Sequence, residues 1–498
     1  MRPAVLAALT LLLSHGTGRA ASPAPADLAA RIDARIAARW AAEKVTPAAP
    51  AGDAEFARRA YLDLVGRIPT VAEARAFIED RGAGKRSALV ARLLGSGGYA
   101  RHWATFWRRE WVPQSPAASG DEIEGWIAAQ LRDNAPYDRV VRALLTAPAV
   151  RAPGGAPQTF LIASEFKPEN LAANTTRAFL GINLDCAQCH NHPFARWTRD
   201  QFWETAAFFA RPSEAGAGAQ RIEIGVPGTG TKLGPQLLTG ERVTWPAALA
   251  PDTGRGVLAA WVTKKDNPYF AKNAVNRVWA QLFGTGLVEP LDDLSGENPA
   301  SHPELLDELA AAFADSGFDL KHLTAALAQT RAYQLSSVAP PGGGSDPRLF
   351  ARAAVRGLTG EQLYDSLRVA AGLPPDRTDL DPLNAAATRK RFAERFRVER
   401  AGTAQRSILQ SLALMNGAVT AELTDPATSP ALKAVAGAPF LDAAAKVEAL
   451  YLAALGRTPT AEESAAAVRH LARGADAGPA LADVLWALLN GSEFGTNH

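Results

Sequence analysis

The chain is poor in sulfur: its 498 residues hold two cysteines and two methionines, one of them Met1. Two cysteines cannot staple a disulfide-rich scaffold. No charge dominates, since 53 Lys+Arg face 51 Asp+Glu. Residues 1–20 read as a secretory signal, with Arg2 as the positive n-region, Ala4 to Leu13 as the apolar core and Gly18-Arg19-Ala20 as a small-x-small cleavage site. Its removal takes Arg2 and Arg19 and no acid, leaving 51 basic and 51 acidic groups. That balance argues against nucleic acid, or any polyanion held by bulk charge, as the partner. Beyond the signal no apolar run approaches the roughly 18 residues that crossing a bilayer requires, so no transmembrane segment is expected. Walker, dinucleotide, HExxH and GxSxG motifs are also missing, which removes the simplest nucleotide, zinc-protease and serine-hydrolase readings. At 47% hydrophobic the chain can bury substantial cores, and its length suggests two or three domains.

The two cysteines sit together, in Asp185-Cys186-Ala187-Gln188-Cys189-His190. C-x-x-C-H is the attachment pattern of c-type haem. Two thiols three residues apart can add to two vinyl groups of one macrocycle, and the following imidazole becomes the proximal iron ligand. The signal agrees, because it sends the chain to the compartment where covalent haem is installed. Two other readings compete: a structural or redox disulfide, and a compact metal site of Cys186, Cys189, His190 and His192. Zinc sites usually join two separated ligand pairs, and a thioredoxin-like CxxC wants a βαβ neighbourhood, so covalent haem on Cys186, Cys189 and His190 is the expectation. The sixth ligand is not fixed by spacing. His192 would face away from the iron, two residues corresponding to about 200° on a helix. His102, His302, His322 and Met415 are the remaining candidates, or an open or water-filled position. An open position favours haem catalysis, and two strong ligands favour plain electron transfer.

Most of the chain has apolar residues at three and four spacing. Helices are expected over Leu28–Ala42, Ala54–Val65, Lys85–Leu94, Asp121–Leu131, Leu171–Leu180, Asn273–Phe283, Pro303–Phe313, Lys321–Ala328, Gly360–Ala371, Ser407–Met415 and Lys446–Leu455. Ala147–Pro157, Val338–Pro347 and Asp425–Pro439 read as Pro/Gly loops. Arg221–Val226 alternates like a short strand, with a turn over Pro227–Gly234. The fold class is therefore mainly α: a helical domain over 21–212, a linker with a short strand over 213–254, and a second helical domain over 255–498. A repeat marks the two ends. Tyr61-Leu-Asp-Leu-Val-Gly-Arg-Ile-Pro-Thr70 matches Tyr451-Leu-Ala-Ala-Leu-Gly-Arg-Thr-Pro-Thr460, and Leu93–His102 matches Leu488–His498. Each unit reads as helix, Gly C-cap, Thr start, helix, and the two related hairpins are expected to pack together. Trp103, Trp107 and Trp111 form a stripe read as core, and Arg389–Arg400 a basic run read as a solvated face.

These residues resemble a known pair of domains. Tyr61–Thr70, Phe179-Leu-Gly-Ile-Asn-Leu-Asp-Cys-Ala-Gln-Cys-His-Asn-His-Pro-Phe194, Trp197 and the aromatic run Gln201–Phe209 are similar to the planctomycete-type cytochrome c-like domain of unknown function. Asn267–Ala271, Val275-Asn-Arg-Val-Trp279, Phe283–Val288, Asp292-Asp293, Ser301–Asp307, Ala332–Ser337 and Leu412–Asn416 resemble the uncharacterised domain that habitually follows it. Relatives often carry a longer Arg- and Pro-rich segment where this chain has residues 374–405. The signal implies an exported protein, periplasmic or on the cell surface, and the resemblance implies a secreted partner encoded nearby; the sequence identifies no small-molecule substrate. In the second half Asn276, Arg277 and the Asp292-Asp293 pair read as structural punctuation before chemistry, and Ser301 with Glu304 as a capping box.

Overall fold

A computed structural model describes residues 23–112, 117–148, 155–215, 219–340, 346–375, 382–396, 407–473 and 476–498. The signal at 1–20 and the end of the basic run at 397–400 lie outside these. The chain is mainly helical, with 22 α-helices and three two-stranded sheets among the described residues. No described helix is long and apolar enough to cross a membrane. The expected helices form, several extended by about a turn at the N-terminal side, as in Pro25–Glu43 and Phe270–Phe283.

Three local expectations are corrected. The Pro-rich stretch 425–439 contains a helix, Pro430–Ala436, because Pro430 sits at its first position where no N–H is needed and Ser429 accepts from the Leu432 N–H. The helix Pro303–Asp315 starts from His302 and has no side-chain cap; Ser301 Oγ lies 3.1 Å from His302 Nδ1, and Glu304 pairs with Arg35. The strand expected over 221–226 is two pieces. Ala219–Arg221 pairs with Ser213–Ala215, and Ile224–Gly225 pairs with Lys232–Leu233 across the turn.

Burial divides the chain later than the motifs do. One buried cluster draws on residues from Leu28 to Ala351, including the Trp103, Trp107 and Trp111 stripe. The second draws on Leu358 to Phe494, joined by Leu62 and Ile68 from the N-terminal hairpin. That hairpin and its C-terminal relative are built alike. Helices Asp53–Val65 and Ala443–Leu455 end on left-handed Gly66 (φ 76°) and Gly456 (φ 71°). Helices Val71–Glu79 and Ala461–Leu471 begin in capping boxes, Thr70 with Glu73 and Thr460 with Glu463. Arg67 pairs with Glu73 over the Tyr61 ring, and Arg457 pairs with Glu463 over the Tyr451 ring.

The two hairpins pack together. Arg75 meets Glu448 at 3.4 Å, and Arg58 donates to the Ala454 carbonyl at 3.2 Å. The Asp53–Val65 helix carries three fully buried charged side chains between the two cores. Arg58 also donates to the Phe494 carbonyl (2.8 Å), and Arg59 to those of Tyr333 (2.6 Å) and Leu335 (2.8 Å). Asp63 accepts from Arg356 through both oxygens (2.8 and 2.9 Å), from Tyr333 Oη (2.9 Å) and from Asn497 Nδ2 (2.7 Å). These charges are tolerated inside because each is met by several fixed partners.

Candidate functional site

The CxxCH turn begins where the Pro168–Thr175 helix widens into a π-turn over Thr176–Leu180 and stops on left-handed Gly181 (φ 63°). A Cβ at Gly181 would lie 2.8 Å from Asn273 Oδ1 and from Leu294, so glycine is required twice, by conformation and by closeness. The chain then lies against the second half of the molecule. Ile182 bridges Asp293, the Asn183 N–H donates to the Asp292 carbonyl (3.0 Å), and the Leu294 N–H donates to the Gly181 carbonyl (2.8 Å). Asn273 Nδ2 donates to the Ala178 carbonyl at 2.8 Å.

Asp185–Gln188 is a 3₁₀ turn, followed by Cys189. At three residues per turn, positions i and i+3 eclipse. Cys186 and Cys189 therefore share one face; both are free and exposed, while Ala187 on the other face is fully buried. The turn is held from behind by Trp203, whose indole N–H donates to the Gln188 carbonyl at 3.1 Å. Trp203 belongs to the helix Arg199–Ala207, capped by Thr198 with Gln201. The loop between is pinned further: the Arg199 N–H donates to Asn191 Oδ1 (2.9 Å) and the His192 N–H to the Trp197 carbonyl (2.8 Å).

The two histidines are in opposite tautomers. His190 Nδ1 lies 2.7 Å from the Asn191 carbonyl, which can only accept, so Nδ1 carries the proton and Nε2 presents its lone pair. His192 Nδ1 accepts from the Phe194 N–H at 3.2 Å, so its proton is on Nε2. In a neutral ring these contacts leave Nε2 as the acceptor nitrogen of His190 and Nδ1 as that of His192. The compact four-ligand site is unsupported, since no group of three or more His, Cys, Asp or Glu among the described residues is placed to hold a metal ion.

The sixth-ligand candidates sit in other elements. His102 lies against Gly66, and burial, then the nearby Arg109, lowers its pKa to about 3. His302 packs on Phe350 and is lowered to about 4, first by burial. His322 Nε2 lies 2.8 Å from the Pro23 carbonyl, and Met415 is on the helix Ile408–Asn416. No described contact links any of the four to residues 186–190.

The second-half motifs turn out to be the wall behind this turn. Asn276 clamps Val288 through two backbone hydrogen bonds (2.9 and 3.0 Å). Arg277, its pKa lowered to about 10 by burial, pairs with Glu110 and donates to Asn273 Oδ1 and the Arg177 carbonyl. Asp293 accepts from Ser295 Oγ at 2.6 Å. A shallow cavity of about 230 Å³ separates the Asp292–Ser295 loop from His192, Phe194 and Trp197, and Phe194 is 86% exposed. Arg389 pairs with Asp365 and Lys390 with Asp121, so the described start of the basic run is engaged within the fold. Arg58, Arg59 and Asp63 are buried without any motif to mark them; a charged residue inside an apolar helix pattern is the signal that points to them.

The donor set fits covalent haem: two free thiols on one face of one turn, and an imidazole whose iron-binding lone pair is exposed. The adjoining cavity is lined by Asn183, His192 and Phe194 but not by Cys186, Cys189 or His190.

A mainly helical protein with a thiol–thiol–imidazole turn backed by the second half of the chain defines the class. The chain belongs to two families in tandem: residues 31–214 match PSCyt2, described as a protein of unknown function (DUF1549), and residues 254–400 match PSD1, likewise a protein of unknown function (DUF1553). No curated protein and no solved structure is significantly similar to the chain.

Proposed function

We propose that this is an exported, mono-haem cytochrome-like protein of the periplasm or cell surface, with Cys186 and Cys189 as thioether sites and His190 as the axial ligand. The observation that carries the reading is the eclipsed, exposed and unpaired thiol pair beside an imidazole with Nε2 open. A bound haem c would supply one-electron chemistry. The chain's own contribution is positional. Trp203 fixes the turn through the Gln188 carbonyl, and Asn191 fixes both the His190 tautomer and the Arg199 helix start. An Nδ1–H donated to a carbonyl also raises the basicity of the other nitrogen. The role is electron transfer or haem-linked redox chemistry, with a secreted protein as partner, and the balanced charge speaks against nucleic acid.

The test is expression with the c-type maturation machinery. Soret and α bands, with one haem mass on the peptide spanning 186–190, are expected. Their joint absence sinks the proposal, and so does a Cys186→Ala variant that keeps the full covalent load. A mass two hydrogens light on that peptide would instead identify a disulfide.

A further inference from the structure

Phe194 is 86% exposed, more than any other large apolar side chain among the described residues, and it stands beside the thiol turn without being loose. Its N–H donates to His192 Nδ1 (3.2 Å), and the His192 N–H donates to the Trp197 carbonyl (2.8 Å), so the loop over 192–197 closes on itself. An aromatic ring held in water by a fixed backbone belongs to no core, and it loses little freedom when something covers it. Next to it opens the cavity of about 230 Å³ whose far wall is the Asp292–Ser295 loop. That volume is below the roughly 300–1,000 Å³ that takes a whole small-molecule ligand, and it suits the end of one side chain. The charge on its wall is unanswered. Among the described residues the Asp292 carboxylate has no hydrogen bond or ion pair, and that of Asp293 has one, from Ser295 Oγ at 2.6 Å. The arginines around them are engaged elsewhere. Arg277 feels the Asp292 charge, but its N–H groups go to Glu110, Asn273 Oδ1 and the Arg177 carbonyl. Arg196 lies 5.0 Å from the centroid of the Trp197 ring and donates to Tyr269 Oη at 2.8 Å.

We infer that this face docks a protein partner that inserts an arginine side chain into the cavity, its guanidinium meeting the Asp292 and Asp293 carboxylates and its apolar neighbours packing on Phe194. A planar guanidinium pairs with a carboxylate through two N–H groups and stacks on an aromatic face, which makes arginine a better fit than lysine. A charged anchor in a pocket beside an exposed aromatic ring is the composition of an interface hot spot. Cys186, Cys189 and His190 do not line the cavity, so the anchor leaves the attachment turn clear while bringing the partner beside it. The inference deepens the partner part of the reading above; it rests on that reading for the partner's redox role and not for the contact itself.

The test uses the chain from residue 21 onward, expressed without the c-type maturation machinery so that the contact is read apart from haem attachment. Ligand-observed NMR titrates acetyl-arginine amide, acetyl-citrulline amide and acetyl-Leu-Arg-Leu amide. The arginine compound should bind, and its uncharged citrulline analogue about tenfold more weakly. The tripeptide should bind about tenfold more tightly than the single residue, through Phe194. Asp292→Asn should remove most of the preference for arginine, and Phe194→Ser only the gain of the tripeptide. Far-UV circular dichroism checks that each variant folds. Absence of arginine binding overturns the inference, as does equal binding of the citrulline compound or binding that Asp292→Asn retains in full. A tripeptide that gains nothing assigns the cavity to a small free cation and overturns the partner equally. Full haem load without arginine binding sinks this inference alone, and arginine binding without haem load sinks the haem reading alone.

Discussion

Removing the carboxylate of Asp63 should loosen both ends of the chain at once. Asp63 is fully buried, and every partner it has is a donor: two contacts from Arg356, one from Tyr333 Oη and one from Asn497 Nδ2. Asp63→Ala leaves the Arg356 guanidinium, itself buried, facing a cavity. Breaking a buried pair from one side costs about 3–5 kcal/mol. Asp63→Asn should be little better, because its amide N–H groups would point at donors. With unfolding entropy of about 2.1 cal/mol/K per residue, 498 residues unfolding together give about 1 kcal/mol/K, so the melting temperature should fall by about 4 °C. In urea the midpoint should drop at constant slope. The double variant Asp63→Leu/Arg356→Met should recover most of the loss, which makes the coupling in a double-mutant cycle at least about 2 kcal/mol. If Asp63→Ala costs under about 1 kcal/mol, or if the two substitutions simply add, the network does not join the cores and the reasoning fails.

Three further outcomes follow from geometry. Gly254→Ala would put a Cβ within 2.3 Å of the Phe208 carbonyl oxygen, so it should destabilise by about 2–3 kcal/mol in urea unfolding. Trp203→Phe removes the N–H that holds Gln188 and should speed amide exchange over residues 185–190 about fivefold, the equivalent of about 1 kcal/mol. Glu361 is paired with Arg109, and although burial alone would raise its pKa, the Arg109 and Arg389 guanidinium groups lower it from 4.5 to about 2. A depressed carboxyl contributes stability above its unfolded pKa and loses it as pH falls through the folded one. The native state should therefore weaken between about pH 4.5 and pH 2, by roughly 3 kcal/mol from this group, and Glu361→Gln should remove that part of the acid dependence seen by circular dichroism.

Much of this fold was legible in the sequence because its signals are local. Three-four spacing marks the helices, and the Gly-Arg-x-Pro-Thr punctuation marks both hairpins, down to Gly66, Gly456 and the two capping boxes. That the two thiols share a face also follows from their spacing, whereas the exposure of that face does not. What spacing could not show is who lies behind that face. The Asp292-Asp293 motif lies more than 100 residues downstream and reaches the CxxCH turn through backbone contacts at Ile182 and Asn183, which depend on tertiary packing and not on side-chain type. Proline misled at 430, where it opens a helix, and the Ser301 capping box failed because Ser301 turned to His302.

The arginines of the Asp53–Val65 helix have a consequence in time. Arg58 waits for carbonyls at 454 and 494, and Asp63 for Arg356 and Asn497. At about 5–20 residues per second, a ribosome delivers Asn497 roughly 20–90 s after Asp63. Throughout that interval the growing chain holds three charges that its own apolar helix cannot yet bury. The seam between the two cores therefore cannot close fully until the Thr496–Asn497 strand is made.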